Sequence, residues 1–304
     1  KLHPPIILFG NTRSGTTIVQ KVISTHPNVA GWYEPNPIWM YPDPGRIHDE
    51  FSATDATPKT KAYIRKRFRK FQEQNGNHVI MEKTPQNILR IPYVREIFPD
   101  ATFLFIVRDP FSFISSVERK WQLTVTGRGI VRRIKDTPIT SLHHWARRYF
   151  VQQFNKRIMR KKYLTIWGPR YEGIQDDLQV NDMLKVIARQ WSIPSKKSAD
   201  DMESFADGQI LKLKYEQFVD DPISHLEKIC AHCNLDMNNH MEEATKAMVK
   251  SDRKFKWQRF DPEELAQILP EIREEMGRHG YEIPQEIQNI GVSRQSAPTD
   301  YAPH

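Results

Sequence analysis

Two cysteines, Cys230 and Cys233, are all that this 304-residue chain contains, which excludes a disulfide-built scaffold. No apolar run approaches the roughly 20 residues that a membrane-spanning helix needs. The longest, Pro4–Phe9 and Thr102–Val107, have the length of strands. The sequence has no Asn-x-Ser/Thr sequon and no repeat with a period of about 20–50 residues. Its first residues run straight into a strand-like stretch, with no signal peptide ahead of it. Together these absences point to the cytoplasm, with the Golgi lumen as the alternative if an N-terminal anchor has been removed.

What is present is the composition of a soluble globular protein, 38% hydrophobic and 27% charged. The 45 basic against 37 acidic side chains give a net charge of +8. That balance suits an anionic ligand and is compatible with nucleic acid. Strand-like runs occur at Ile6–Phe9, Val79–Met81, Thr102–Val107 and Gln209–Leu213. A first helix carries Ile18, Val19, Val22 and Ile23 on one face and ends at His26-Pro27. Further helices are expected over Lys59–Gln74, Gln86–Phe98, Ser112–Trp121, Ser141–Met159, Val180–Trp191, Pro222–Cys233, His240–Val249 and Pro262–Arg278. Strands alternating with helices predict an α/β fold, a P-loop-like parallel sheet flanked by helices on both faces. One domain is expected over residues 1–284, followed by a loose or wrapping tail at 285–304 that lacks an amphipathic period.

The chemistry starts at Gly10-Asn11-Thr12-Arg13-Ser14-Gly15-Thr16-Thr17, a glycine loop between the first strand and the first helix. Glycines let backbone N–H groups turn inward, and the helix N-terminus adds partial positive charge, so the segment is a phosphate cradle. The two glycines have P-loop spacing, yet Thr16 stands where a nucleotidase has lysine. The apolar strand Thr102–Val107 ends in Arg108 rather than in a magnesium-binding Asp, with Asp109 displaced by one. Both departures speak against magnesium–ATP hydrolysis. They fit phosphates neutralised by arginine, hydroxyl and backbone donors. A helix started by Pro110 puts Ser116 about two turns in, and an arginine fork with a hydroxyl suits a phosphate monoester.

These motifs resemble the sulfotransferase superfamily, which uses 3′-phosphoadenosine-5′-phosphosulfate (PAPS). Arg13-Ser14-Gly15-Thr16-Thr17 is similar to its 5′-phosphosulfate loop, in the arginine form of tyrosylprotein sulfotransferases and the broad bacterial group. Arg108 and Ser116 have the spacing of its 3′-phosphate motif. Glu82-Lys83-Thr84-Pro85 stands where the family places a lysine against the transferring sulfuryl group. Leu213-Lys214-Tyr215-Glu216 resembles its late strand with a nucleotide-contacting tyrosine, and Lys254–Trp257 its C-terminal segment. The likeness runs from about Pro4 to Tyr281.

The resemblance implies PAPS as donor, PAP as product and no metal. It assigns Arg13, Ser14, Gly15, Thr16, Thr17, Arg108, Ser116, Tyr215 and Lys254 to the nucleotide, with Arg13 and the loop amides on the leaving phosphate. Lys83 would stand near the bridging oxygen or the sulfuryl group. The histidine base of cytosolic small-molecule sulfotransferases has no counterpart in Thr84-Pro85-Gln86. Tyrosylprotein and polysaccharide sulfotransferases use a glutamate just beyond the first helix, and Glu34 lies there, 21 residues after Arg13. Its neighbours Trp32 and Tyr33 are expected to desolvate it. Glu82 is the reserve base.

The acceptor stays open between a small molecule, a glycan and a peptide, and between hydroxyl and amine. Nucleic acid is not expected as a partner, and the oligomeric state is left open. Two other classes of function stand beside the enzyme reading. One is a non-catalytic module for nucleotide or nucleic acid, the other a phosphotransferase with a degenerate P-loop. Cys230-x-x-Cys233 reads as core rather than metal or redox chemistry, and the basic stretch Lys59–Lys70 as a solvated helix face.

Overall fold

A strand that is apolar along its whole length has to be covered on both faces. In a computed structural model, which describes residues 1–121, 167–250, 256–288 and 290, the two most apolar runs lie side by side at the centre of a sheet. The elements follow in the order β1 (Ile6–Gly10), α1 (Thr16–Ile23), β2 (Val29–Tyr33), α2 (Asn36–Trp39), α3 (Pro58–Gln74), β3 (Val79–Lys83), α4 (Ile91–Ile97), β4 (Thr102–Val107) and α5 (Pro110–Trp121). After the undescribed stretch come α6 (Ile174–Val180), α7 (Met183–Met202), β5 (Ile210–Lys214), α8 (Tyr215–Asp220), α9 (Pro222–His232), α10 (Asn239–Met248) and α11 (Pro262–Arg278). The strands stand in the order β2-β3-β1-β4-β5, and every pairing is parallel. The register sets Leu8 beside Lys83 and Gly10 beside Ile106, so the C-terminal strand ends gather around the glycine loop.

Side-chain alternation then divides the core. Ile7, Phe9, Phe103 and Phe105 pack on one face with Ile64, Phe68, Val94, Trp191 and Ile272 from the helices. Ile6, Leu8, Leu104 and Ile106 pack on the other with Val19, Ile23, Phe218 and Ile229. The expected α/β sheet with helices on both faces is what forms. Cys230 and Cys233 are buried on the second side, where burial pushes their thiols up to about 11 and about 12, so they are inert core residues. Helix α3 buries Ile64 and Phe68 and turns Lys59, Lys66, Arg69 and Lys70 to solvent.

Several expectations needed correction. The edge strand β2 was unforeseen; it is short and carries Ala30 and Gly31, but Trp32 docks on α3 by stacking on Phe71 at 4.3 Å. The helix expected over Gln86–Phe98 is two pieces, a 3₁₀ segment at Pro85–Leu89 and α4, broken at Arg90. Pro92 explains the restart, because it lacks an N–H to bond back and fits only the first turn of a helix. Helix α7 starts later than expected, capped by Asp182, and runs through Pro194 to Met202. Residues 285–288, in the segment expected to be loose or wrapping, form a helical turn that buries Ile287 in the core, in keeping with the second alternative. The expected helix Ser141–Met159, Lys254 and most of the 285–304 segment lie outside the described residues.

Candidate functional site

The glycine loop is shaped by close approach. Gly15 has φ 87°, and a Cβ there would meet Tyr215 Cδ2 at 2.4 Å. A Cβ on Gly10 would meet the Ile106 carbonyl at 2.6 Å, so the loop lies directly against the end of β4. Arg13 also takes a left-handed conformation, φ 61°. Asn11 pins the loop, its Oδ1 accepting from Thr12 N at 2.8 Å and its Nδ2 donating to the Gln190 carbonyl at 2.9 Å. Ser14 is fully buried, and its Oγ has no hydrogen-bond partner among the described residues. A buried hydroxyl left unsatisfied inside a glycine cradle is what an anion-binding loop offers its ligand.

One group of side chains gathers where β4 meets α5. Arg108 is 7% exposed; its Nη1 donates to the Arg13 carbonyl at 2.8 Å, and its guanidinium lies 4.5 Å from the centre of the Tyr215 ring. Burial pulls its pKa below the usual value, while Tyr215, Glu216 and Asp109 act the other way. Arg13 Nε donates to Ser116 Oγ at 2.8 Å, so Arg13, Arg108, Ser116 and Tyr215 lie together, although the sequence had set Arg13 apart from the Arg108–Ser116 pair. Behind them Glu216 accepts from Asp109 N at 3.0 Å and from the Tyr281 hydroxyl at 2.9 Å. Trp191 Nε1 holds the Arg108 carbonyl at 2.9 Å.

A second group forms at the ends of β2 and β3. Lys83 is only 1% exposed, and its ammonium donates to Thr17 Oγ1 at 3.1 Å and Glu34 Oε1 at 2.8 Å, 4.0 Å above the Tyr33 ring. Lys83 therefore bridges the start of α1 and the carboxylate. Glu34 N donates to the Lys83 carbonyl at 2.9 Å, and Glu34 has φ 52°. A non-glycine residue held there stores strain of about 1–3 kcal/mol, and such strain concentrates at functional positions. Besides two asparagines, Arg13 and Glu34 are the only described non-glycine residues with positive φ. The aromatic desolvation expected for Glu34 is not what surrounds it: its side chain is 29% exposed and ion-paired.

Glu82 faces the opposite side of the sheet from Lys83. It is fully buried, accepting from Trp39 Nε1, Thr84 Oγ1 and Asn87 Nδ2. Burial pushes its carboxyl up to about 7 against the hydrogen bonds from Thr84 and Trp39. Asn87 passes the network to buried Arg90, which reaches Asn36 at 2.6 Å. This enclosure ties Glu82 to Trp39, Thr84 and Asn87 and suits a brace for the turn after Glu34 better than a base.

Sequence reasoning named Tyr33 only as a neighbour of Glu34, not as the ring beneath Lys83, and missed Gln190 and the Asn87–Arg90 link. Gln190 carried one readable signal, a polar residue among Val186, Ile187 and Trp191 on a buried helical face. Among the described residues no group of three or more His, Cys, Asp or Glu is arranged to hold a metal ion, and no helix is long and apolar enough to cross a membrane.

Comparison with known proteins adds a family. The model described as Sulfotransferase family matches residues 4–181 and 160–239. The nodulation protein NoeE of Sinorhizobium fredii is 21% identical over 134 residues, 38% of this chain and 32% of that protein, so the match spans about a third of the relative's length. The sulfotransferase domain from the curacin biosynthetic pathway superposes with a TM-score of 0.57 at 12% identity, covering 93% of this chain and 100% of that one. The sulfotransferase domain of the Synechococcus PCC 7002 olefin synthase gives a TM-score of 0.53 at 12% identity, covering 93% and 96%. At such identities the structural likeness is one of fold.

Proposed function

The chain belongs to the sulfotransferase family, and from that premise we propose that it transfers a sulfuryl group from PAPS to a hydroxyl or amine of its acceptor. The observation that carries this reading is one glycine loop with a basic group at each end: Arg13, Arg108 and Ser116 on one side, Lys83 with Glu34 on the other. A single-phosphate ligand needs only one of these. A nucleotide with a 3′-phosphate and a 5′-phosphosulfate uses both. The buried Ser14 hydroxyl and the cradle at Gly15 fit such a group.

In this assignment Arg108 and Ser116 hold the 3′-phosphate, with Tyr215 against the nucleotide. Ser14, Thr16, Thr17 and the loop amides hold the 5′-phosphate, together with Arg13, whose Nε also reaches Ser116. Lys254 keeps the nucleotide-contacting role that the family resemblance gives it. PAPS supplies the activated sulfuryl group and departs as PAP. Glu34 takes the proton that the acceptor loses. Lys83 places its charge between Thr17 and Glu34, where negative charge develops on the sulfuryl and leaving oxygens. No metal is assigned a part.

The experiment is an acceptor screen with ³⁵S-labelled PAPS, covering phenols, amines, glycans and tyrosine peptides, with mass spectrometry of labelled products. Label in a covalent product supports the reading. Tight PAP binding with no transfer to any acceptor favours a binding module, and stabilisation by ATP–magnesium but not by PAP sinks the donor assignment.

A further inference from the structure

Proline inside a helix removes one N–H and leaves the carbonyl four residues earlier without its helical donor. In α7 that proline is Pro194, and the freed carbonyl belongs to Gln190. The Gln190 carbonyl is the atom that accepts from Asn11 Nδ2 of the glycine loop, at 2.9 Å in a buried contact. We propose that Pro194 is a positioning residue for the donor site: by leaving the Gln190 carbonyl without a helical donor, it supplies the anchor that fixes the phosphate loop. The inference rests on the PAPS reading above and adds to it a residue remote from the ligand.

The surrounding contacts argue that this turn of α7 is a common brace. The next residue, Trp191, holds the Arg108 carbonyl through Nε1 at 2.9 Å, so adjacent residues tether the two phosphate-gripping segments. Gln190 Nε2 also donates to the carbonyls of Trp167 and Pro169, both at 2.8 Å. Between them sits Gly168, φ 96°, where a Cβ would come within 3.0 Å of Thr12 Cγ2. One helical turn thus touches the loop directly at Asn11 and indirectly at Thr12. Asn11 in turn accepts from Thr12 N through its side chain and from Ser14 N through its carbonyl, at 3.3 Å. Without the anchor at Gln190, the left-handed conformations of Arg13 and Gly15 lose the contact that holds their N-terminal flank.

A solitary proline in a helix interior is otherwise a cost, because any other residue restores a hydrogen bond. That makes the test discriminating. In Pro194→Ala the new N–H at position 194 competes for the Gln190 carbonyl. The full chain and this variant are compared by calorimetric titration with PAP, by thermal denaturation without ligand, and by crystallography. The expected result is a PAP dissociation constant raised about three- to tenfold, the worth of one lost hydrogen bond, at unchanged or higher thermal stability. The Asn11–Gln190 contact should lengthen beyond hydrogen-bonding distance. Asn11→Ala removes the same contact from the other side, and the double variant should bind PAP no more weakly than Asn11→Ala alone. Wild-type affinity in Pro194→Ala, an intact Asn11–Gln190 bond, or additive losses in the double variant each overturn the proposal. A wild-type chain that does not bind PAP brings down the donor reading, and this inference with it, whereas loss confined to the variants leaves that reading standing.

Discussion

The pair Lys83–Glu34 is lopsided, and its two halves should respond differently to removal. Lys83 is 1% exposed and Glu34 29%, at an N–O distance of 2.8 Å. In Glu34→Gln the buried ammonium keeps an oxygen to bond but loses the charge on it. A hydrogen bond to a charged partner contributes about 1.5–3 kcal/mol and a neutral one about 0.5–1.5, so the loss is about 1–2 kcal/mol. In Lys83→Met the desolvated charge itself disappears, a thioether of similar length fills the space, and the carboxylate left behind can be hydrated. The penalty of about 3–5 kcal/mol for stranding a buried charge therefore does not apply in full, because the partner left behind is the more exposed one. Urea denaturation at neutral pH should therefore rank Glu34→Gln below Lys83→Met. Sulfuryl transfer should fall in both, by about 10²–10³ for the lysine as a donor of positive charge and about 10²–10⁴ for the base. A Lys83→Met protein destabilised by about 3 kcal/mol, with Glu34→Gln at wild-type stability, would refute this account of the pair.

Further outcomes follow from single contacts. Gly15→Ala drives a Cβ into the Tyr215 ring at a left-handed φ, and should lower stability by about 1–3 kcal/mol in denaturant titration as well as weaken PAP binding. The Glu82 carboxyl is raised by burial from 4.5 to about 7 in the folded chain, so it binds protons more tightly there than in the unfolded chain. Its contribution is fully present below about pH 4.5 and is lost as pH rises through about 7, so Glu82→Gln should flatten the decline of stability across that window. With Cys230 and Cys233 buried and their thiols shifted up, a thiol reagent at neutral pH should label the native protein only as fast as it unfolds.

Much of the site was legible because its residues sit where local rules are strict. Gly10 and Gly15 mark close approaches, Arg108 ends an apolar strand, and Ser116 follows Pro110 at helical spacing, all fixed within short segments. The Lys83–Glu34 pair was only half legible. Each position could be named, but their contact depends on β2 pairing with β3, and β2 was not visible in a stretch containing Ala30 and Gly31. Glu82 stood as the reserve base because sequence cannot say which face of a strand end its side chain takes. The role of Gln190 was hidden further, since it acts through a backbone carbonyl freed by Pro194, 179 residues from its partner Asn11.

On the proposed reading, one loop with two basic ends holds a nucleotide carrying both a 3′- and a 5′-phosphate. Parallel calorimetric titrations with 3′,5′-diphosphoadenosine and with adenosine 5′-phosphate test it most directly, on the wild-type chain and on Arg108→Ala. The bisphosphate should bind more tightly by about tenfold or more, the worth of a charge-assisted hydrogen bond, and Arg108→Ala should lose that preference. Equal affinity for the two nucleotides, or a preference that survives the loss of Arg108, would contradict it.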